Sequence, residues 1–205
     1  MKVVVFGATG GIGRKVVEQA LARGHQVTAF VRQAAPDGLA GGVTLVQGDV
    51  LDASRVSEAV SGQEAVIVAL GSKDLFDTKT RSDGTRRVID AMTSAGVRRI
   101  VAVSAMGIGD SWSTLSWFNR LFFATLLRAS RIDHEAQEAV IRSSGLDWTI
   151  LRPSALTDEP GRGDYQIGEN IRGVSVKVPR EDVARALLDV LDSDAPVGRA
   201  LTVTY

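Results

Sequence analysis

Three glycines spaced three residues apart, Gly7, Gly10 and Gly13, follow a short apolar run near the start of the chain. The run over 2–6, KVVVF, is typical of a strand that is covered on both faces, and the apolar residues over 11–23 recur with helical spacing. Glycine at a strand-to-helix turn permits positive φ and a close approach of the backbone to a ligand. Because the following helix N-terminus leaves N–H groups that can hold a phosphate, GATGGIG predicts a nucleotide-binding turn, with turn geometry alone as the alternative.

The end of the second predicted strand indicates which nucleotide would bind. Sites for NAD usually place an acidic residue there, on the ribose hydroxyls. This strand, QVTAFV over 26–31, is instead followed by Arg32. A guanidinium group matches the oxygens of a 2′-phosphate, so Arg32 favours NADP(H). The alternative is a solvated arginine at a strand end.

The rest of the chain alternates apolar runs with helical patterns, which predicts parallel strands joined by right-handed crossovers. We therefore expect an α/β fold, a single Rossmann-type domain over 1–205 with a doubly wound parallel sheet and helices on both faces. The ligand crevice should lie outside the carboxyl ends of the strands. The further predicted strands are 43–47, 65–70, 99–103, 148–151 and 200–203, the helices are 52–60, 78–95, 115–142 and 180–191, and 158–173 is expected to be irregular.

Composition narrows the classes of function and location. Lys+Arg and Asp+Glu both number 24, so the formal net charge is zero. A nucleic-acid partner would favour a basic excess, and none is therefore expected. The absence of cysteine excludes disulfides, zinc–thiolate sites and thiol nucleophiles, and no metal site is expected. No signal peptide or apolar stretch of membrane-spanning length is recognisable, so we expect a soluble, cytoplasmic protein with no membrane partner. A monomer or weak homodimer is expected.

Further stretches resemble a known superfamily in order and spacing. With GATGGIG, the stretches VTAFVR, GDVLD, AVIVALGS, RIVAVSAMG and SGLDWTILRP span nearly the whole chain. Together they resemble the extended and atypical short-chain dehydrogenases/reductases. Within that superfamily the chain resembles the biliverdin-IXβ reductase/flavin reductase family and the related NmrA-like NAD(P)-binding proteins. GQEAVIVALGS here is similar to GQDAVIVLLGT there.

This resemblance implies a set of cofactor contacts. Asp49 would lie beside the adenine and Val50 would pack on it, although Asp49 could equally be a loop residue that caps a helix. The backbone after the fourth strand would run along the nicotinamide side. The implied cofactor-binding residues are Gly7, Thr9, Gly10, Gly11, Ile12, Gly13, Arg32, Asp49, Val50, Ala69, Leu70, Gly71, Ser104, Pro153 and Ser154.

The same resemblance indicates what is missing for catalysis. Well-known members use a Tyr-x-x-x-Lys pair with a Ser after the fifth strand. Ser104 fills the Ser position and is the candidate catalytic residue, whereas Ser130 and His134 stand at the Tyr and Lys positions. His134 could approach the nicotinamide ribose, but among acidic neighbours on a helix we favour a solvated, paired side chain. Ser154 stands where the reductase family often has a histidine.

The substrate region is expected over 105–130 and 154–175. The first part contains the aromatic stretch DSWSTLSWFNRLFF, which suits a flat apolar substrate but could equally pack on the core or on a partner subunit. Within the second part, the stretch DEPGRGDYQIGEN over 158–170 is polar and expected to be mobile. The function implied is an NADPH-dependent reductase of a flavin, a linear tetrapyrrole or a quinone-like acceptor. The alternative is a non-catalytic NADP(H) sensor of NmrA type, and an epimerase is disfavoured without the Tyr–Lys pair.

Overall fold

The computed structural model describes residues 1–33, 39–71, 77–109, 111, 128–169, 171, 177–193 and 197–205. The apolar runs of the sequence form strands, and the amphipathic stretches between them form helices. The strands are β1 (Lys2–Phe6), β2 (Gln26–Val31), β3 (Thr44–Gln47), β4 (Ala65–Val68), β5 (Arg99–Val103), β6 (Asp147–Pro153), β7 (Ala155–Thr157), β8 (Gln166–Gly168), β9 (Lys177–Pro179) and β10 (Arg199–Thr204). The helices are α1 (Gly11–Ala22), α2 (Ala53–Val60), α3 (Thr80–Ala95), α4 (Arg128–Arg142) and α5 (Arg180–Asp192).

The sheet topology confirms the predicted fold class. Within the described ranges, one sheet has the order β3-β2-β1-β4-β5-β6-β10-β8, and β7 pairs with β9 separately. All neighbours in the large sheet are parallel except β8, which runs antiparallel to β10. The chain moves outward from β1 to β3 and then continues on the other side of β1 with β4. In such doubly wound sheets a ligand crevice opens at this reversal, beyond the strand carboxyl ends.

Helices cover both faces of the sheet, which explains the continuous apolar runs. Val3 and Val5 of β1 belong to the core on the face of α1 and α5. Val4 and Phe6 belong to the core on the face of α2, α3 and α4. Since successive side chains of a strand point to opposite faces, a strand buried on both faces must be apolar at every position.

Helices α1 and α5 lie parallel on their shared face. Gln19 Nε2 donates to the Glu181 carbonyl at 3.0 Å near the start of α5. Arg23, four residues later at the C-cap of α1, forms ion pairs near the end of α5 with Asp189 at 2.7 Å and Asp192 at 3.0 Å. The N-termini of both helices therefore lie on the side where β1 ends.

The segment predicted to be irregular over 158–173 is partly ordered by strand pairing and by the first turn of α5. It contains β8, which pairs with β10. The buried Asp182 carboxylate accepts from the backbone amides of Arg162 at 2.8 Å and Gly163 at 3.1 Å. Glu181 accepts from the Gly161 amide at 3.0 Å. The segment expected to be mobile is thus anchored where it passes α5, because two acidic side chains in the first turn of this helix accept hydrogen bonds from its backbone amides.

Two predicted boundaries differ from the structure. Strand β6 continues through Pro153, which pairs with Val203, since a proline is tolerated where the strand ends and its amide is not needed. The predicted long helix is observed over Arg128–Arg142, whereas 115–127 lies outside the described residues. None of the helices in the described parts of the chain is long and apolar enough to cross a bilayer.

Candidate functional site

The turn after β1 is built around a close contact between the ends of β1 and β4. Gly7 has φ +83°, and a Cβ there would lie 2.3 Å from the Ala69 carbonyl oxygen. The Ala69 amide donates to the Phe6 carbonyl at 2.9 Å, which holds the two strand ends together. Gly7 is therefore required both by its backbone conformation and by the lack of space beside it.

Helix α1 begins directly on this turn because Gly13 has no side chain. A Cβ on Gly13 would lie 2.1 Å from the Gly7 carbonyl oxygen. The same carbonyl accepts a hydrogen bond from the Gly10 amide at 2.9 Å. The first turn of α1 thus rests on the main chain of the turn, and this contact sets the direction in which α1 leaves the sheet.

Gly10 and Gly11 differ from the other two glycines because they are exposed. Gly10 is the N-cap of α1, with φ −75° and ψ 166°, and it makes no side-chain capping hydrogen bond. The first turn holds no acidic residue, the Thr9 carbonyl accepts from Arg14 Nε at 2.9 Å, and Ile12 packs against the core. Within the described residues, the first amides of α1 therefore face the crevice without a capping side chain, the arrangement that binds a phosphate.

An apolar wall lies at the ends of β3 and β4. Val50 is buried there. A Cβ on Gly84 of α3 would lie 2.8 Å from Val50 Cγ1 and 3.0 Å from Leu70 Cδ1. Val50, Leu70 and the backbone at Gly84 are thus closely packed, and Val50 is the residue of this wall that the resemblance places against the adenine.

The polar residues predicted beside the adenosine lie at the same edge of the sheet. Asp49 is exposed, and its Oδ1 accepts from the Leu51 amide at 2.9 Å. The cap of α2 is Asp52, so the helix-capping alternative for Asp49 is wrong. Arg32 follows β2 with its side chain exposed, and its carbonyl accepts from Gln47 Nε2 at 3.4 Å. A guanidinium group that is exposed at that edge is accessible to a 2′-phosphate.

Ser104, at the end of β5, joins a buried charged network. Its hydroxyl donates to Glu138 Oε1 at 2.7 Å. Arg152 donates to the same carboxylate from Nε at 2.8 Å and from Nη2 at 2.7 Å, a bidentate pair. Ser104, Glu138 and Arg152 are all at most 4% exposed. The hydroxyl proton of Ser104 is therefore directed at Glu138 of α4, and its oxygen remains able to accept a hydrogen bond.

The end of β6 carries a buried polar atom without a partner. The Ser154 amide donates to the Val203 carbonyl at 3.0 Å, and the Pro153 carbonyl accepts from the Met106 amide at 2.9 Å. Ser154 Oγ is buried and has no hydrogen-bond partner among the described residues. This hydroxyl without a partner and the uncapped N-terminus of α1 lie at the same edge of the sheet. Both fit a polar ligand that lies across the crevice. The predicted contacts at the end of β4 are on this edge as well: Ala69, Leu70 and Gly71.

His134 is buried in the structure, so the prediction of a solvated side chain is wrong. It is 9% exposed, on α4 where that helix packs on α3, and its Nδ1 has no partner within the described part of the chain. Burial, with the nearby Arg81 charge acting in the same direction, lowers the pKa of His134 to about 4. Ser130 lies one turn earlier and is partly buried. Near neutral pH, this pair offers a hydroxyl and a neutral imidazole.

The expected substrate region is only partly described. Residue 110 and residues 112–127, which hold most of the aromatic stretch, lie outside the described residues. Of the second part, 154–169 and 171 are described. The prediction of an aromatic wall thus stays a prediction.

Sequence reasoning missed two charged residues near the crevice. In the sequence Glu138 is one of several acidic neighbours of His134, whereas in the structure it binds both Ser104 and Arg152. Arg180 begins α5 and lies so close to Gly11 that a Cβ there would be 2.7 Å from the Arg180 Cδ. No local motif marks either residue, because each contact joins elements that are distant in the chain.

Comparison with known proteins settles the family. A family model described as NAD(P)H-binding matches residues 7–194. The chain belongs to this family. The match includes the glycine turn, every predicted cofactor residue and α5, and it confirms the predicted resemblance to the atypical short-chain dehydrogenases/reductases.

Relatives of this NAD(P)H-binding protein agree with the assignment. The solved structure of ChuY, an anaerobilin reductase from Escherichia coli O157:H7, is 30% identical with a TM-score of 0.83, covering 100% of this chain and 97% of that one. The uncharacterised sugar epimerase YhfK of Bacillus subtilis is 29% identical over 216 residues, 100% of this chain and 94% of that protein. A short-chain dehydrogenase/reductase of Veillonella parvula, solved with NADP, shares the fold at 23% identity and a TM-score of 0.83, covering 100% and 94% of the two chains.

The glycines of the turn are expected to separate structural from binding roles. Gly13→Ala places a methyl group against a main-chain carbonyl and should lower the free energy of unfolding by about 3 kcal/mol or more. Gly10→Val, at an extended exposed N-cap, should cost only about 1 kcal/mol. Calorimetric titration with NADPH of the folded Gly10→Val protein should show no binding, since the side chain fills the phosphate position. Unchanged affinity would mean that the turn is only a connector.

The buried His134 should make stability depend on pH. The unfolded chain gains a proton at this residue near pH 6.5, but the folded protein does so only near pH 4. The stability contributed by the neutral ring is therefore present above pH 6.5 and is lost as the pH falls towards 4. Between pH 7 and pH 4.5, urea unfolding of the unmodified protein should lose about 2 to 3 kcal/mol more than that of His134→Gln. Parallel pH profiles for the two proteins would contradict the burial of this histidine.

Proposed function

We propose that this protein is an NADPH-dependent reductase that transfers hydride to a flat conjugated acceptor: a flavin, a linear tetrapyrrole or a quinone-like molecule. The observation that carries the proposal is the exposed, uncapped N-terminus of α1 at the ends of β1 and β4. It lies at the reversal of strand order, on the edge that also holds Ser104 and Ser154. A nicotinamide bound there would supply hydride.

Each part of the edge has a different task in this proposal. The first amides of α1 bind the pyrophosphate, and Arg32 binds the 2′-phosphate. Val50 packs against the adenine, with Asp49 beside it. The backbone over 69–71 and the Ser154 hydroxyl hold the nicotinamide side, which would satisfy the buried Ser154 oxygen.

The acceptor class follows from the side chains that could move a proton. His134 is held neutral by burial, with a pKa of about 4, and Ser130 has no useful acidity near neutral pH. Reduction of an isolated carbonyl normally needs an acid of suitable pKa. Conjugated acceptors take hydride onto an electron-poor ring system, and water can supply the proton. The role of this chain is then to orient two flat rings against each other.

Ser104 acts by position in this scheme. Its hydroxyl donates to the Glu138 carboxylate, which Arg152 holds in turn, so its oxygen is fixed and can accept from the nicotinamide amide. The acceptor would lie between 105–130 and 154–175. The name of ChuY, an anaerobilin reductase of similar length, supports the tetrapyrrole among the three acceptors.

A second candidate function is a non-catalytic NADP(H) sensor of NmrA type. It is favoured by the lack of a side-chain acid, since Ser130 and His134 offer none at neutral pH. The two candidates differ in one measurable respect. A sensor binds NADPH without oxidising it in the presence of any acceptor.

Cofactor choice is expected to depend on Arg32. The unmodified protein should bind NADPH more tightly than NADH. Arg32→Asp should invert that order, because it removes a charged phosphate contact and adds repulsion, about 2 to 3 kcal/mol or roughly 30- to 150-fold. Calorimetry with both cofactors measures the two ratios. Equal affinities in the unmodified protein would contradict the assignment of NADPH.

Turnover is expected to need position rather than a side-chain acid. With NADPH and saturating FMN, biliverdin or a quinone, followed by nicotinamide absorbance, Ser130→Ala and His134→Ala should each lower kcat less than about tenfold. Ser104→Ala should lower kcat more than either. A loss of kcat near a thousandfold in His134→Ala would indicate that this residue acts as a general acid, since acid catalysis contributes roughly 10²–10⁴-fold. Tight NADPH binding without turnover of any acceptor would favour the sensor.

A further inference from the structure

Arg180, the first residue of α5, reaches across to the first residue of α1. A Cβ on Gly11 would lie 2.7 Å from Arg180 Cδ and 2.9 Å from its Nε. Gly11 is not among the glycines with positive φ, so its backbone does not require glycine. What the missing side chain provides is room for Arg180 above the N-terminus of α1.

The guanidinium of Arg180 pairs with an exposed carboxylate. Its Nη1 lies 2.7 Å from Asp158 Oδ1. The Arg180 side chain is 29% exposed and that of Asp158 is 89% exposed. An ion pair of this exposure contributes little to stability, so the partners can separate at small cost.

The position is electrostatically unusual for a cation. Helices α1 and α5 are parallel, and Arg180 lies at the N-termini of both, where the helix dipoles are positive and favour anions. Two acidic residues, Glu181 and Asp182, follow Arg180 directly. Their carboxylates accept from the backbone amides of the loop over 161–163. A phosphate placed on the first amides of α1 would meet the guanidinium and both helix N-termini together.

We propose that Arg180 binds the pyrophosphate of the dinucleotide, and that Asp158 holds the guanidinium in the free protein until the pyrophosphate replaces it. This inference rests on the proposed cofactor site and adds to it a binding residue and an internal competitor. Asp158 follows β7 directly, within the region expected to contact the acceptor. Exchange of its partner would alter this region only locally, because 161–163 remain bound to α5.

The competition predicts effects of opposite sign on NADPH affinity, measured by calorimetry. Arg180→Ala should weaken binding roughly 10- to 100-fold, because a charge-assisted contact to phosphate is lost. Asp158→Asn should strengthen binding by up to about fivefold, because the competitor is removed. In the Arg180→Ala background, Asp158→Asn should have no effect. Arg180→Lys should recover part of the affinity, since it keeps the charge but not the planar fork.

A matched pair of variants controls for general loss of charge. Arg199 and Glu169 form an exposed ion pair at 3.1 Å, near the start of β10 and so at the opposite end of the sheet. Arg199→Ala and Glu169→Gln should leave NADPH affinity unchanged. Thermal unfolding of every variant establishes that it is folded, and Arg180→Gln replaces Arg180→Ala if the alanine protein is not.

The cofactor series separates the pyrophosphate from other parts of the ligand. Arg180→Ala should weaken NADPH and NADH by the same factor, since both carry the pyrophosphate, whereas Arg32→Asp should weaken NADPH alone. Unchanged affinity in Arg180→Ala, weaker binding in Asp158→Asn, or an Arg180 effect confined to NADPH would each overturn the inference. No NADPH binding by the unmodified protein would instead overturn the proposed function on which it rests.

Discussion

Helix α1 leaves strand β1 through contacts that leave no room for a methyl group. Gly13 lies against the Gly7 carbonyl, and Gly7 lies against the Ala69 carbonyl, at distances where a Cβ would be 2.1 Å and 2.3 Å from oxygen. Both obstructing atoms belong to the main chain, so neither can turn aside as a long side chain could. This constraint fixes the direction of the free amides of α1, and with it the place where the phosphates of a dinucleotide can lie.

The chain carries 24 basic and 24 acidic residues, so its net charge does not attract an anion. Any attraction at this edge of the sheet must come from the local arrangement of charges. Several carboxylates near the crevice are already used within the protein. Glu138 is bound by Ser104 and Arg152, and Asp133 accepts from the backbone amides of Arg81 and Ser82 at the start of α3. The first amides of α1 carry no capping side chain, and within the described ranges the Arg180 guanidinium has the exposed Asp158 carboxylate as its one ion-pair partner.

Short-range patterns predicted the central sheet and the glycine turn, since continuous apolar runs and glycine spacing express local constraints. The three-residue strands β7, β8 and β9 have no such pattern, because they form only through pairing with distant strands. The prediction that His134 is solvated is wrong for the same reason. Its burial depends on α3 packing against α4, which also buries Asp133. The contact between Arg180 and Gly11 likewise joins the two ends of the chain and leaves no local mark.

The most direct test of the account follows individual backbone amides while NADPH is added to ¹⁵N-labelled protein. Binding of the pyrophosphate on α1 predicts the largest shifts at the amides of Gly11, Ile12 and Gly13, the first three of the helix. The amides of Gly96 and Gly198, which lie in turns at the opposite end of the sheet, should not move. Saturable NADPH binding that leaves the three α1 amides unshifted would contradict the central claim that the turn after β1 holds the cofactor.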